Sequence, residues 1–208
     1  MLMKKLPDKT VERLSQYRRA LLLSLAGGKH HIFSHEIAAL IHITPVQVRR
    51  DIMLIGYSGT LRQGYDVKEL IDIIGKIIDT KEGQHVAVIG IGNLGRSIIG
   101  YFNGKRSKLS IVAAFDTNPD KIDRVYAGVK CHNFDKLSEV VRNEGISIAI
   151  ITVPASEAKR IAEALVMVGI KGILNFTPQP LNVPDQVYLQ EYDMITSLEK
   201  VAYFAKQK

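Results

Sequence analysis

The sequence predicts an α/β chain in two parts, a helical N-terminal unit followed by an open, largely parallel sheet with helices on both faces. Three observations predict it. Apolar residues recur at helical spacing as far as Asp79. Beyond Gly83 they gather into short, near-continuous runs that alternate with helical stretches, the pattern of strands buried on both faces. The first of these runs ends in Gly90-Ile91-Gly92-Asn93-Leu94-Gly95, directly before a helical pattern.

The first helix covers Val11 to Leu25, where Val11, Leu14, Leu21, Leu22 and Leu25 line one side with Tyr17 beside them and Gly27-Gly28 acts as a stop. Ser34 is placed to cap a second helix carrying Ile37, Ala38 and Ile41. Thr44-Pro45 opens a third, because Thr44 can accept from an orphan N–H and Pro45 at the first helical position forfeits no bond. That helix extends to about Ile55, with Val48, Ile52 and Ile55 inward and Gln47, Arg49 and Arg50 on the other side. Two short helices with a tight link, the second basic on its free face, match a helix-turn-helix, although any three-helix domain has a similar apolar stripe. The glycine-spaced segment from Gly56 to Gly64-Tyr65 suits a two-stranded wing, and Val67 to Asp79 reads as a further helix. The boundary is placed at Lys81-Glu82-Gly83-Gln84.

Four buried strands are expected at His85–Gly90, Ile111–Asp116, Ile146–Val153 and Gly172–Phe176. In the glycine motif Gly90 serves the tight turn, Gly92 admits a pyrophosphate to the backbone, and Gly95 lets the helix pack against the sheet. Asp116 ends the second strand where a ribose-binding carboxylate belongs. It would repel a 2′-phosphate, so NAD(H) is favoured over NADP(H). Thr152-Val153-Pro154 and Asn175-Phe176-Thr177-Pro178 end two later strands and share the carboxyl edge, where ligands collect.

Composition narrows the function classes. From Met1 to Ile55 nine Lys/Arg face four acids, a local excess that suits a polyanion. The single cysteine, Cys131, cannot form an internal disulfide or a thiolate metal site by itself. No apolar stretch is long enough to span a membrane and no signal peptide is evident, so a cytoplasmic protein is expected. His30, His31, His35 and His42 lack ligand spacing, so no metal is expected. No Tyr-x-x-x-Lys or His–carboxylate pair stands out as a proton relay, so no catalytic residue is assigned and binding without turnover is the simpler expectation. A small NAD-dependent oxidoreductase with a helical appendage and a CoA- or nucleotide-binding module remain the alternatives.

Together these segments resemble the Rex family of redox-sensing transcriptional repressors, over nearly the full length and in the family's order. The resemblance rests on Arg13-Leu14 to Tyr17 and Arg19, Gln47-Val-Arg49-Arg50-Asp51, Gly56 to Gly64-Tyr65, the glycine motif, Ala114-Phe115-Asp116, Thr152-Val153-Pro154, Gly169-Ile-Lys-Gly-Ile-Leu-Asn175-Phe176, and Asp193 with the final helix. It implies an N-terminal winged-helix domain (1–80), a Rossmann domain for NADH or NAD⁺ (84–192), and a C-terminal helix (193–208) exchanged within a homodimer. It further implies operator DNA as partner, released when NADH predominates. Gln47, Arg49 and Arg50 would serve the major groove and the Arg62–Tyr65 wing the minor groove, with Thr44 also a DNA-binding residue. Arg19, Tyr101 and Asp193 of the partner subunit would form the relay between cofactor states, with Tyr101 also near the cofactor. Two departures from the family pattern, Leu61-Arg62-Gln63 before Gly64-Tyr65 and Ile-Met-Leu-Ile after Asp51, bear on operator sequence.

Overall fold

The computed structural model describes residues 6–102 and 108–206. The chain divides after Thr80 into two compact units, Met1–Thr80 and Lys81–Lys208.

In the first unit, helix α1 (Asp8–Ala26) leads through strand β1 (His31–Ile32) to α2 (Ser34–Ile41) and α3 (Pro45–Leu54), then through β2 (Tyr65–Asp66) to α4 (Val67–Ile78). Leu14, Tyr17, Leu21, Ile37, Val48, Ile52, Leu70 and Ile74 form one buried cluster, whereas Val11 and Leu22, expected on the same side of α1, are 40% and 44% exposed. Each such side chain contributes roughly 1.5–3 kcal/mol by leaving water. The starts of the helices are fixed locally. Thr44 accepts from the Gln47 N–H at 3.2 Å, with Pro45 following at the first helical position. Asp66 accepts from the Glu69 N–H at 2.8 Å at the head of α4.

Two expectations are corrected here. Ser34 is the first residue of α2 rather than its cap; the position before it is Phe33, whose N–H donates to the Glu36 carboxylate at 2.8 Å, while the Ser34 hydroxyl accepts from Arg49 at 3.0 Å. The glycine-spaced segment closes as a tight loop through a Thr60–Gly64 bridge, and its strand β2 pairs with β1 instead of a second strand of the wing. That pairing turns the Tyr65 ring inward, where it is buried against the core and 6.0 Å from the Tyr57 ring. Tyr65 therefore contributes packing; the exposed wing side chains are Leu61, Arg62 and Gln63.

Among the described residues the second unit is built on a seven-stranded sheet. Its strands are β3 (Gln84–Ile89), β4 (Leu109–Asp116), β5 (Val125–Tyr126), β6 (Val129–Asn133), β7 (Ile146–Ile151), β8 (Gly172–Asn175) and β9 (Tyr188–Glu191), in spatial order β5-β6-β4-β3-β7-β8-β9. All neighbours are parallel except β5 with β6. The four expected strands are the central ones. The added strands are short and lie on the flanks of the sheet, β5 and β9 at its two edges and β6, bearing Cys131 and His132, between β5 and β4. Helix α5 (Asn93–Phe102) covers one face, and α6 (Leu137–Asn143) and α7 (Ala158–Met167) the other. Along β3 the side chains alternate between the two cores, Val86 and Val88 toward α5, Ala87 and Ile89 toward α6 and α7. The chain leaves β3 in one direction for β4 and β6, then returns to β7, which creates a switch point between the ends of β3 and β7. Helix α8 (Met194–Ala205) closes the chain and buries none of its residues. Among the described residues, no helix is long and apolar enough to cross a membrane.

Candidate functional site

The register of β3 with β4 and β7 sets Ile89 beside Phe115 and Ile151, so Gly90, Asp116 and Thr152 emerge together at one edge. A cavity of about 530 Å³ opens there, within the span of small-molecule clefts. Gly90, Gly92, Asp116, Thr152, Val153 and Pro154 all line it.

The glycines differ in what holds them. Gly90 has φ +94°, and a Cβ there would stand 2.9 Å from the Thr152 carbonyl oxygen. A Cβ at Gly95 would stand 2.2 Å from the Gly90 oxygen, so the start of α5 lies directly on the turn. At Gly92 a Cβ would meet nothing within 4 Å; this is the face open to a phosphate. Thr152 braces the turn from the neighbouring strand, its hydroxyl donating to the oxygens of Gly90 at 2.7 Å and Ile89 at 3.0 Å.

Asp116 is tied to this loop. Its Oδ2 accepts from the Ile91 N–H at 2.7 Å and from Lys121 Nζ at 3.0 Å, and its Oδ1 from the Asn118 N–H at 2.9 Å. Burial pushes the carboxyl up, but these donors outweigh it and hold Asp116 below the ordinary carboxylate range. A carboxylate offers about four acceptor positions, so it retains room for a ribose hydroxyl. The open Gly92 face and the half-buried, ionised Asp116 fit a dinucleotide.

Ile91, expected at the cofactor, presents a fully buried side chain and an N–H turned to Asp116; its part is to hold the loop in shape. Asn93 and Leu94 stand in the first turn of α5, whose N–H groups lack helical partners and favour an anion. Tyr101 is 62% exposed near the other end of α5 and is not among the cavity-lining residues; its ring packs edge-on against Phe102. Sequence reasoning missed Lys121, Phe134, Glu157 and Arg160, which also line the cavity. Arg160 is paired with Glu157 at 2.7 Å and lies 5.7 Å from the centre of the Phe134 ring. Lys121, five residues after Asp116 and beyond the Asn118-Pro119 turn, carried the only readable signal.

In the N-terminal unit, Thr44, Arg49, Arg50 and Arg62 are exposed and Gln47 is half-buried. The Gln47 amide is held by Asp51 at 3.0 Å. Arg19 lines a shallow groove between α1 and the end of α2. Asp193 heads α8, accepting from the Ile195 N–H at 2.9 Å and the Thr196 hydroxyl at 2.6 Å, and those bonds keep its carboxyl below the ordinary range.

Comparison with known proteins bears on both units. Residues 5–52 match the family described as "Putative DNA-binding protein N-terminus" and residues 81–179 the CoA binding domain family. The redox-sensing transcriptional repressor Rex of Anoxybacillus flavithermus is 38% identical over 202 residues, 97% of this chain and 95% of its own. The Rex proteins of Bacillus licheniformis (38%, 97% and 94%) and Listeria welshimeri (35%, 96% and 93%) match over similar lengths.

This chain belongs to the Rex family.

The solved structures agree. RSP, a Rex-family repressor, superposes in its complex with NAD⁺ and operator DNA with a TM-score of 0.89 at 30% identity, covering 98% of this chain and 94% of that one. Its complex with NADH gives 0.87 at 29% identity, covering 98% and 96%. The CoA-binding match covers the second unit alone, and the full-length Rex relatives decide the family.

Proposed function

We propose that this chain is a redox-sensing transcriptional repressor that grips operator DNA as a homodimer and lets go when NADH fills its Rossmann cleft. One observation carries it: a single chain joins a helix-turn-helix with exposed Arg49 and Arg50 to a glycine-turn cleft with Asp116 in register. The solved Rex relative, recorded with NAD⁺ and operator DNA and separately with NADH, supports the same pairing of ligands.

Thr44, Gln47, Arg49 and Arg50 meet the major groove and Arg62 the minor groove. Gly90, Gly92 and the first turn of α5 receive the pyrophosphate, Asp116 the ribose, and Thr152 to Pro154 wall the cleft. The protein binds the dinucleotide without turning it over and works in the cytoplasm, where its operator is. Winged-helix residues 1–80 and Rossmann residues 84–192 act as the two domains, and 193–208 is exchanged between subunits. Support for the exchange lies in α8 itself, where Ile195, Leu198, Val201 and Phe204 are each more than half exposed within one chain. Arg19, Tyr101 and the Asp193 of the partner relay the cofactor state.

Reduced and oxidised nicotinamide differ in charge and shape, so they favour different spacings of the two reading helices, and half-sites a helical turn apart accept only one. A tenfold to hundredfold change in operator affinity requires only about 1.4–2.7 kcal/mol of coupling. A gel-shift series on a palindromic operator with the NADH/NAD⁺ ratio varied tests this. Loss of the shifted band as NADH rises is expected; a band indifferent to saturating NADH refutes it.

A further inference from the structure

The N-terminal unit contains a buried ion-pair network that reaches the reading face of α3. Asp51, on the inner side of α3, is 2% exposed and both its oxygens are doubly engaged. Oδ2 accepts from Arg13 Nε at 2.6 Å and the Tyr17 hydroxyl at 2.7 Å; Oδ1 accepts from Arg13 Nη2 at 2.8 Å and Gln47 Nε2 at 3.0 Å. Arg13 is steadied in turn by the Thr10 hydroxyl at 3.2 Å.

An ionised carboxylate has no proton to give, so only the NH₂ end of the Gln47 amide can face it. An unrestrained glutamine flips its amide freely about its last torsion. Here the two ends are distinguished by charge, nitrogen toward Asp51 and oxygen away from it. Gln47 stands three residues after the cap Thr44, in the first turn of α3, the part of a reading helix whose side chains meet base edges.

We propose that Asp51 fixes the polarity of the Gln47 amide so that Gln47 reads an adenine in each half-site. The outward oxygen accepts from the adenine N6 amino group while the remaining N–H donates to N7. The reversed amide would offer donors where adenine also offers a donor, and would suit guanine O6 or thymine O4 instead. Asp51 is thus a positioning residue, and Gln47 the residue that touches the base. This inference rests on the operator-binding reading and adds base identity to it.

The test uses full-length protein. Duplexes with a randomised palindrome are selected against the wild type, and fluorescence anisotropy then compares all four bases at each half-site position. Expected is one position where replacing adenine weakens wild-type binding roughly tenfold, within the range for a bidentate amide–adenine pair. Q47A abolishes that preference and leaves the others. D51N, which gives Gln47 a neighbour able both to donate and to accept, narrows it to within about twofold while the other positions keep theirs. A D51N protein that keeps the full preference overturns the proposal, as does Q47A with every preference intact. If D51N fails to fold by circular dichroism, the wild type decides: one of the two Gln47 side-chain amide protons, identified by their loss in Q47A, is protected from solvent exchange, and free exchange of both overturns the idea. A wild type that enriches no sequence overturns the operator reading as well, an outcome distinct from the others.

Discussion

At the residue scale, three glycines that look alike in the motif have separate duties, and substitution should separate them. Gly92→Ala meets open space, so the variant should unfold at the wild-type temperature yet lose NADH binding, because its methyl occupies the face a pyrophosphate must approach. Gly95→Ala drives a methyl into the Gly90 carbonyl and should cost at least about 1–3 kcal/mol before any ligand is added. Thermal unfolding beside NADH calorimetry reads both, and a cofactor-competent Gly92→Ala would remove the cleft assignment. Asp116 does more than meet a ribose, since its Oδ2 also holds the Ile91 N–H. Asp116→Ala should therefore weaken NADH more than loss of one ribose contact, and calorimetry should show AMP, which lacks the second phosphate of the dinucleotide, penalised less than NADH. Equal losses would show that the tie to the loop is idle.

At the element scale, α3 is held to α1 by the Asp51 network rather than by apolar contacts alone. Removing one partner of a buried ion pair leaves the other charge stranded, so Arg13→Ala should destabilise by about 3–5 kcal/mol. Burial pushes the Asp51 carboxyl up, yet the bonds from Arg13, Tyr17 and Gln47 hold it below its ordinary 3.8. The stabilisation is therefore complete above that value and is lost as pH falls through the lower folded value. Chemical denaturation at pH 6 and pH 3 should show wild type losing more stability on acidification than Arg13→Ala, and parallel losses would place the acid response elsewhere. On the exposed side of the same helix, Arg49→Ala should reduce the salt dependence of operator binding by about two units of slope, as expected for one phosphate contact from each subunit of the dimer. An unchanged slope would assign Arg49 to the Ser34 hydroxyl alone.

For the whole molecule, α8 poses the clearest question, because its apolar residues find no burial within one chain. Leu198→Glu with Val201→Glu should yield monomers by light scattering and lose most operator affinity, since one reading helix cannot span two half-sites. A charged variant that stays dimeric would place the subunit interface elsewhere.

Much of this architecture was legible from residues alone, for a physical reason. The helices of the first unit and the four central strands carry long apolar patterns whose period is a local property, and Thr44-Pro45 and Gly90 to Gly95 are local stereochemistry. The short strands β5 and β9 were not legible, because two to four residues give no period and their pairing depends on what the sheet has already formed. The inward turn of Tyr65 follows from β2 finding β1, more than thirty residues earlier. Lys121 and Arg160 reached the cleft by the same non-local route. The sequence by itself determined two units, a dinucleotide turn and a basic reading helix; tertiary structure decided which polar atoms face one another. That decision binds Asp51 to Arg13 and Tyr17 and Asp116 to Ile91, because a carboxylate drawn out of water is stable only where distant parts of the chain bring it donors.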